Sequence, residues 1–321
     1  RCVVTNACAV ATTSNAMTLT VANSPVTTLQ PTNKIVCLGD NTTYTVTATS
    51  SAPISYQWQG SVDGISWTNI ANGGIFSGAT TSTLTLTGVY IGTYTQYRCE
   101  LNTGCIPAAT SNVATLTIET APLISINPAN QVKCVGQNAS FAITATGSNL
   151  SYQWQESTNG GVSWANVANG GVYAGATTNN LVLTAVPATM NSYRYRCVVT
   201  GSCPTAKTSS TATLTVNTPV AINTNTPTAL TFCSGSNTTL TVGATGTGIS
   251  YRWYINNGGI WTALNNNSTY SGVTTATLNI SNMAAPVNTL TYQYRCVVTG
   301  ICNTVSSNST TITVHARPNI T

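Results

Sequence analysis

Large apolar residues alternate with Thr, Ser and Gln over short runs, and nowhere is helical spacing sustained. "YTVTA" (44–48), "FAITA" (141–145) and "LTVGA" (240–244) repeat apolar residues every second position, the pattern of an antiparallel strand with one buried face. "TLTLT" (83–87) and "ATLTI" (114–118) follow the same rule. "SYQWQ" (55–59), "SYQWQ" (151–155) and "SYRWY" (250–254) place a Tyr and a Trp two apart, on one face of a strand, and predict a core element. Gly, Asn, Ser and Pro clusters part these runs and predict turns. The chain therefore reads as all-β, built of sandwiches of two antiparallel sheets.

The runs recur as a unit. "YRYRCVVTGSC" (193–203) returns as "YQYRCVVTGIC" (292–302), as "YTQYRCELNTGC" (94–105) and as "RCVVTNAC" at the first eight residues. Cys2, Cys99, Cys197 and Cys296 are spaced by about one small domain, close to 98 residues. A second cysteine keeps step as Cys8, Cys105, Cys203 and Cys302, and a third as Cys37, Cys134 and Cys233. Pro-containing links near 21–26, 119–123 and 217–221 set the expected boundaries. Residues 1–24 match the last two strands of a truncated unit; 25–119, 120–217 and 218–315 are whole units; 316–321 start a following link or repeat. On this reading the sequence is a piece of a longer array, which accounts for a first segment without signal-peptide character. The short links predict units set end to end as an elongated rod.

Composition narrows the surface chemistry. Charged residues are only 5% of the chain, against about 25% in an ordinary soluble domain, so the surface is polar but nearly uncharged. The net charge of +5 is scattered, and the clustered basic footprint of a nucleic-acid binder is missing. No apolar run approaches the ~18 residues of a membrane span. Eleven cysteines in fixed places point to an oxidising, extracellular setting, at a cell surface or secreted.

A core Trp followed about 40 residues later by Tyr-x-Cys resembles strands C and F of an immunoglobulin-like domain. The spans are Trp58 to Cys99, Trp154 to Cys197 and Trp253 to Cys296, and Tyr97, Tyr195 and Tyr294 match the tyrosine-corner position two before the Cys. The Thr-rich wording "YQW…SW…GATT…LTLT…YRCVVTG.C" further resembles the Ig-like tandem repeats of large secreted and cell-surface proteins of Bacteroidota, including gliding adhesins and type IX secretion substrates. The resemblance covers all three whole units.

The cysteines depart from that pattern. Ala48, Ala145 or Ala244 holds the strand B position that pairs with the strand F cysteine in antibody domains, while Cys37, Cys134 and Cys233 lie ahead of it. All eleven, Cys2, Cys8, Cys37, Cys99, Cys105, Cys134, Cys197, Cys203, Cys233, Cys296 and Cys302, are candidates for structural disulfides. A Cys99–Cys105 bond would staple a hairpin. A Cys37–Cys105 bond would join opposite ends of one sandwich, about 20 Å apart, against a Cα limit of about 7 Å. Bonds between units, Cys37 with Cys203 and Cys134 with Cys302, would use the odd cysteine of each unit. The hairpin and inter-unit pairings both stay open.

Catalytic chemistry finds little to use. Asp40, Asp63, Glu100, Glu119 and Glu156 fall at unrelated places in the repeat, and His315 follows the last strand pattern. No acid–base pair or oxygen cage is indicated, and Cys-x5-Cys without His is a poor zinc set. The reading is a non-enzyme without cofactor or metal. A second Trp (Trp67, Trp164, Trp261) and an aromatic (Phe76, Tyr173, Tyr270) recur, as a sugar-stacking platform or, preferably, as packing. Arg1, Arg98, Arg196 and Arg295 share one position and read as solvated edge charges or contacts for anionic glycans. Sequons at 41–43, 138–140 and 237–239 carry little weight in a chain so rich in Asn, Ser and Thr.

The function expected is that of an extracellular stalk or adhesin segment. A subunit of an extracellular filament or sheath is the alternative, and a carbohydrate-binding surface module the second. The partners expected are further repeats of the same chain, surface glycans or copies of itself, with no nucleic acid and no membrane span in this segment.

Overall fold

The structure, a computed structural model, describes all residues except 9, 19–22, 105–107, 286–288 and 318–321. The expectations for Cys105, and parts of those for the 21–26 and 316–321 segments, lie outside the described residues. Among the described residues the regular elements are strands, with one 3₁₀ turn at Ala188–Met190. The chain forms two compact units. One is Arg1–Leu123 with Thr146–Leu150 and Thr200–Ala206; the other is Ile124–Ala145, Ser151–Val199 and Lys207–Thr321. The first unit thus holds the first repeat and two turns of the second.

Three tandem immunoglobulin-like sandwiches share one topology. In the first, a bridging strand (Lys34–Cys37), a closing strand (Ala114–Glu119), a cysteine strand (Gln96–Asn102), a tryptophan strand (Ser55–Ser61) and a short edge strand (Thr68–Asn69) follow one another across a sheet. Thr42–Thr45, Thr83–Leu86 and Phe76–Ser77 form the opposing sheet. The second repeat uses Gln131–Cys134, Ala212–Asn217, Arg194–Thr200 and Ser151–Ser157 in the same order, and the third uses Ala229–Cys233, Thr310–His315, Leu290–Thr299 and Ser250–Asn257. The bridging and closing strands pair in parallel, so the terminal cysteine of the former lies beside the end of the latter. The partners are Cys37 with Glu119, Cys134 with Asn217, and Cys233 with His315. Ahead of the first repeat, Val3–Thr5 pairs antiparallel with Ala11–Thr13.

The period-two alternation decides what is buried. Trp58, Trp154 and Trp253 have no exposed surface. Each indole Nε1 donates to a carbonyl at 2.9 Å, of Thr81, Thr178 and Thr275 respectively, so the one polar atom of the ring is satisfied. Trp58 faces Cys99 across the sheet and Trp253 faces Cys296. A serine not singled out from the sequence recurs beside these cysteines: Ser14, Ser111, Ser209 and Ser307 each accept the backbone N–H of Cys2, Cys99, Cys197 and Cys296 at 2.8–2.9 Å. Its recurrence 11–12 residues after the cysteine was the available signal.

Tyr97, Tyr195 and Tyr294 are buried, but the structure corrects their tyrosine-corner reading. Tyr97 stacks on Tyr44 with ring centres 4.8 Å apart, and Tyr195 packs on Phe141 at 4.7 Å. The Tyr195 hydroxyl meets that of Tyr173 at 3.1 Å, and Tyr294 meets Tyr270 at 3.1 Å, rather than a backbone carbonyl. The Tyr97 hydroxyl has no partner among the described residues, because the corresponding neighbour is Phe76, packed 6.5 Å away without a hydroxyl. A buried polar atom left unpaired costs about 1–3 kcal/mol. Phe76→Tyr is accordingly expected to stabilise the first repeat by about 1 kcal/mol, read as a higher midpoint in urea.

Candidate functional site

The repeats are joined at positions set by the bridging strand and the turn after the cysteine strand. Cys37 is bonded to Cys203 and Cys134 to Cys302, with Cα–Cα distances of 5.8 Å in both. Of the pairings open from sequence, the structure contains the one between repeats. It works because the parallel register delivers Cys37 and Cys134 to the repeat end from which the link departs. The hairpin pairing does not occur in the second and third repeats, since Cys203 and Cys302 are already engaged.

Around each bond the link is held by one recurrent pair of hydrogen bonds and by further contacts of its own. In the first unit the Thr120 N–H donates to Ser148 Oγ and the Ser148 N–H returns to the Thr120 carbonyl, both at 3.0 Å. Asn149 Nδ2 donates to Glu119 Oε1 at 3.0 Å and to Ser202 Oγ at 2.8 Å. In the second unit the Thr218 N–H donates to Thr247 Oγ1 at 2.8 Å and the Thr247 N–H to the Thr218 carbonyl at 3.1 Å. Asn303 Oδ1 accepts the Val220 N–H at 2.6 Å. Gly147 and Gly246 sit at φ +144° and +145°, and a Cβ on either would come within 3.0 Å of Pro122 Cα or Val220 Cα. Both features, backbone angle and close approach, demand glycine. The same link contact recurs where Asn23 donates its N–H to Ser51 Oγ at 3.1 Å.

Six other candidate cysteines carry free thiols: Cys2, Cys8 and Cys233 exposed, Cys99, Cys197 and Cys296 buried. The disulfide expectation is corrected for Cys2, Cys99, Cys197 and Cys296, while Cys8 and Cys233 occupy the positions that are bonded in the neighbouring repeats. The buried three lie inside the sandwiches, Cys99 and Cys296 opposite the core tryptophans on the neighbouring strand. Burial pushes the Cys99 thiol up to about 12 and those of Cys197 and Cys296 to about 11, from 9. A raised pKa keeps each thiol neutral, and only thiolate is nucleophilic. At pH 8 iodoacetamide is expected to label Cys2, Cys8 and Cys233 while sparing these three until denaturant is added, as read by peptide mass. The sign for stability follows. The neutral-thiol contribution is complete below about pH 9 and is lost as pH rises through 11 to 12.

The second set of recurrent residues forms a face. The guanidinium of Arg98 lies 4.2 Å from the ring centre of Trp67, as do those of Arg196 over Trp164 and Arg295 over Trp261. Arg98 Nε and Arg196 Nε each donate at 2.8 Å to Gln59 and Gln155. In the third repeat Tyr254 replaces that glutamine, and Arg295 Nε is buried without a partner among the described residues. These arginines are therefore not edge charges: the cysteine strand lies inside the sheet, and its outward residues stack on half-exposed indoles. Phe76, Tyr173 and Tyr270 pack inward on the core tyrosines, so they and the second tryptophans form no single platform. On the first repeat, a polar depression of about 260 Å³ is lined by residues including Gln57, Asn69, Glu100 and Asn102.

The carboxylates lie apart, in structural bonds. Asp40 accepts the Cys37 N–H at 3.2 Å, Glu100 a Gln59 amide at 3.3 Å, and Glu156 the Tyr173 hydroxyl. Asp63 takes the N–H groups of Ile65 and Ser66, which hold its carboxyl down at about 2. His315 Nδ1 sits 3.0 Å from Thr289 Oγ1. Among the described residues no group of three or more His, Cys, Asp or Glu is placed to hold a metal ion, and no helix is long and apolar enough to cross a membrane.

Residues 27–120 and 125–218 match the family described as Domain of unknown function (DUF8696). The chain belongs to this family. Each DUF8696 match takes in one whole repeat with its bridging cysteine, Cys37 or Cys134. Among curated proteins, Endoglucanase C of Cellulomonas fimi is 32% identical over 201 residues, which make up 62% of this chain and 17% of that protein. The chain thus spans under a fifth of that relative. Among solved structures, an I-band fragment from titin superposes with a TM-score of 0.67 at 16% identity, covering 92% of this chain and 99% of that one. The immunoglobulin domains 1–5 of Sidekick-1 give 0.50 at 16% identity, over 93% and 60%. These likenesses concern the fold.

Proposed function

We propose that this chain is a non-catalytic segment of an extracellular repeat protein, serving as a stalk or adhesin arm of the kind its wording resembles in surface and secreted proteins of Bacteroidota. The observation that carries the reading is the disulfide between successive repeats, made twice at equivalent positions. Such bonds persist in oxidising compartments and add nothing to a catalytic site. They add a second covalent connection between successive repeats beside the backbone link, which is useful where the connection itself bears load. The dispersed carboxylates, each occupied by a structural bond, support the same view. Negative-stain images of the purified chain test it. Single beaded particles are expected, whereas ordered fibres would favour the filament reading.

A carbohydrate-binding surface is the second reading. It is favoured by the likeness to a protein named as an endoglucanase and by the half-exposed Trp67 on a repeat that also carries a polar depression. Titration with soluble glucan oligosaccharides decides it: on this reading Trp67→Ala abolishes heat of binding with the circular dichroism unchanged. No heat from the parent chain removes it.

A further inference from the structure

We infer that the two disulfides interlock to give the chain a short covalent tension route that leaves most of its folded mass unloaded. The bonded cysteines alternate along the sequence as Cys37, Cys134, Cys203 and Cys302, with the first joined to the third and the second to the fourth. The two loops therefore overlap; they neither nest nor follow one another. Pulled from its ends, the chain can be drawn out only along its shortest covalent path. That path runs from Arg1 to Cys37, across to Cys203, back to Cys134, across to Cys302 and on to Thr321. It contains about 125 residues of backbone rather than about 320. At about 3.45 Å per residue its limit is about 430 Å against about 1,100 Å.

The placement of the cysteines makes the route repeatable. From Cys203 to Cys233, the bridging-strand cysteine of the third repeat, is about 30 residues. They comprise the closing strand Ala212–Asn217, the link, Ala221–Thr224 and Ala229–Cys233. Where this spacing continues, one bond and about 30 residues carry the line past two repeats. The Cys134–Cys302 bond opens a like line offset by one repeat. Along such a line tension passes through closing and bridging strands, whose parallel pairs are loaded in shear, and misses the tryptophan and cysteine strands; in this chain the return from Cys203 to Cys134 still runs through those of the second repeat. Unfolding a repeat that lies off this line releases little length.

The inference rests on the load-bearing reading for its biological use, yet its test is made on the purified chain alone. Optical tweezers attached at both termini read the extended length directly. The oxidised chain is expected to stop near 430 Å. Cys37→Ser and Cys134→Ser, each folded and confirmed by peptide mapping to keep the other bond, should each add only about 100 Å, because the remaining bond still shunts most of the chain. The double variant, or the parent chain in reductant, should add about 680 Å. This strong non-additivity is the mark of overlap. Single variants that each gain half of the double's increment, or an oxidised chain that extends past 1,000 Å, would overturn it. Expected extension combined with ordered fibres on the grid would remove the stalk reading and leave the tension route standing.

Discussion

Replacing Trp253 with alanine is expected to unfold the third repeat, or to leave it folded with about 3–5 kcal/mol less stability. The side chain has no exposed surface, and it packs among Leu240, Leu278, Tyr294 and Cys296. Truncation removes the largest apolar contact of that core and opens a cavity that rigid strands on both sides cannot close. It also strands the Thr275 carbonyl, which now accepts the indole N–H at 2.9 Å, adding the cost of a buried acceptor. A single domain is rarely more stable than 5–15 kcal/mol, so the loss consumes much of the whole. Scanning calorimetry checks the outcome: a low-temperature transition confined to one repeat, with the rest melting as before. Trp253→Phe, which keeps most of the volume, should recover part of the stability but not the hydrogen bond. Parent-like melting of the alanine variant would contradict the assignment of this residue to the core.

Reduction of the two disulfides gives the second large effect, concentrated in the second repeat. Residues between Cys134 and Cys203 lie inside both closed loops, whose ends are 166 and 168 residues apart in sequence. Chain-entropy reasoning assigns a loop of that size up to about 5 kcal/mol, because the bond restricts the unfolded ensemble. With bonds intact, an unfolded second repeat stays tethered at both junctions. Without them it is an ordinary flexible link. The oxidised chain is therefore expected to melt with the second repeat coupled to its neighbours, and the reduced chain to show that repeat melting first, at a markedly lower temperature. Comparing Cys134→Ser with Cys233→Ser separates bond loss from thiol loss, since Cys233 is exposed and unbonded. Equal effects of the two substitutions would contradict the pairing.

These two effects have different degrees of visibility in the sequence. The tryptophan core was legible because a strand repeats every two residues: the alternation in "SYRWY" or "YRCVV" assigns each side chain to a face without knowledge of any partner. The same rule gave the strands and the inward face of the cysteines, but not their pairing with tryptophan, which needs the register between two strands. It could not say that Tyr97 would lack a hydrogen-bond partner, because that depends on Phe76 arriving from the opposite sheet.

What the sequence determined by itself is the recurrence of one two-sheet unit and the identity of its buried residues, both products of local periodicity. What tertiary structure alone decided is which sulfurs meet, where the arginines lie and how the links are held. Cys37 reaches Cys203 through a parallel strand pair, a link and a turn, and Arg98 finds Trp67 only once two strands lie side by side. Such contacts depend on distances between residues far apart in the chain, and a pattern that repeats every two residues carries no measure of those distances.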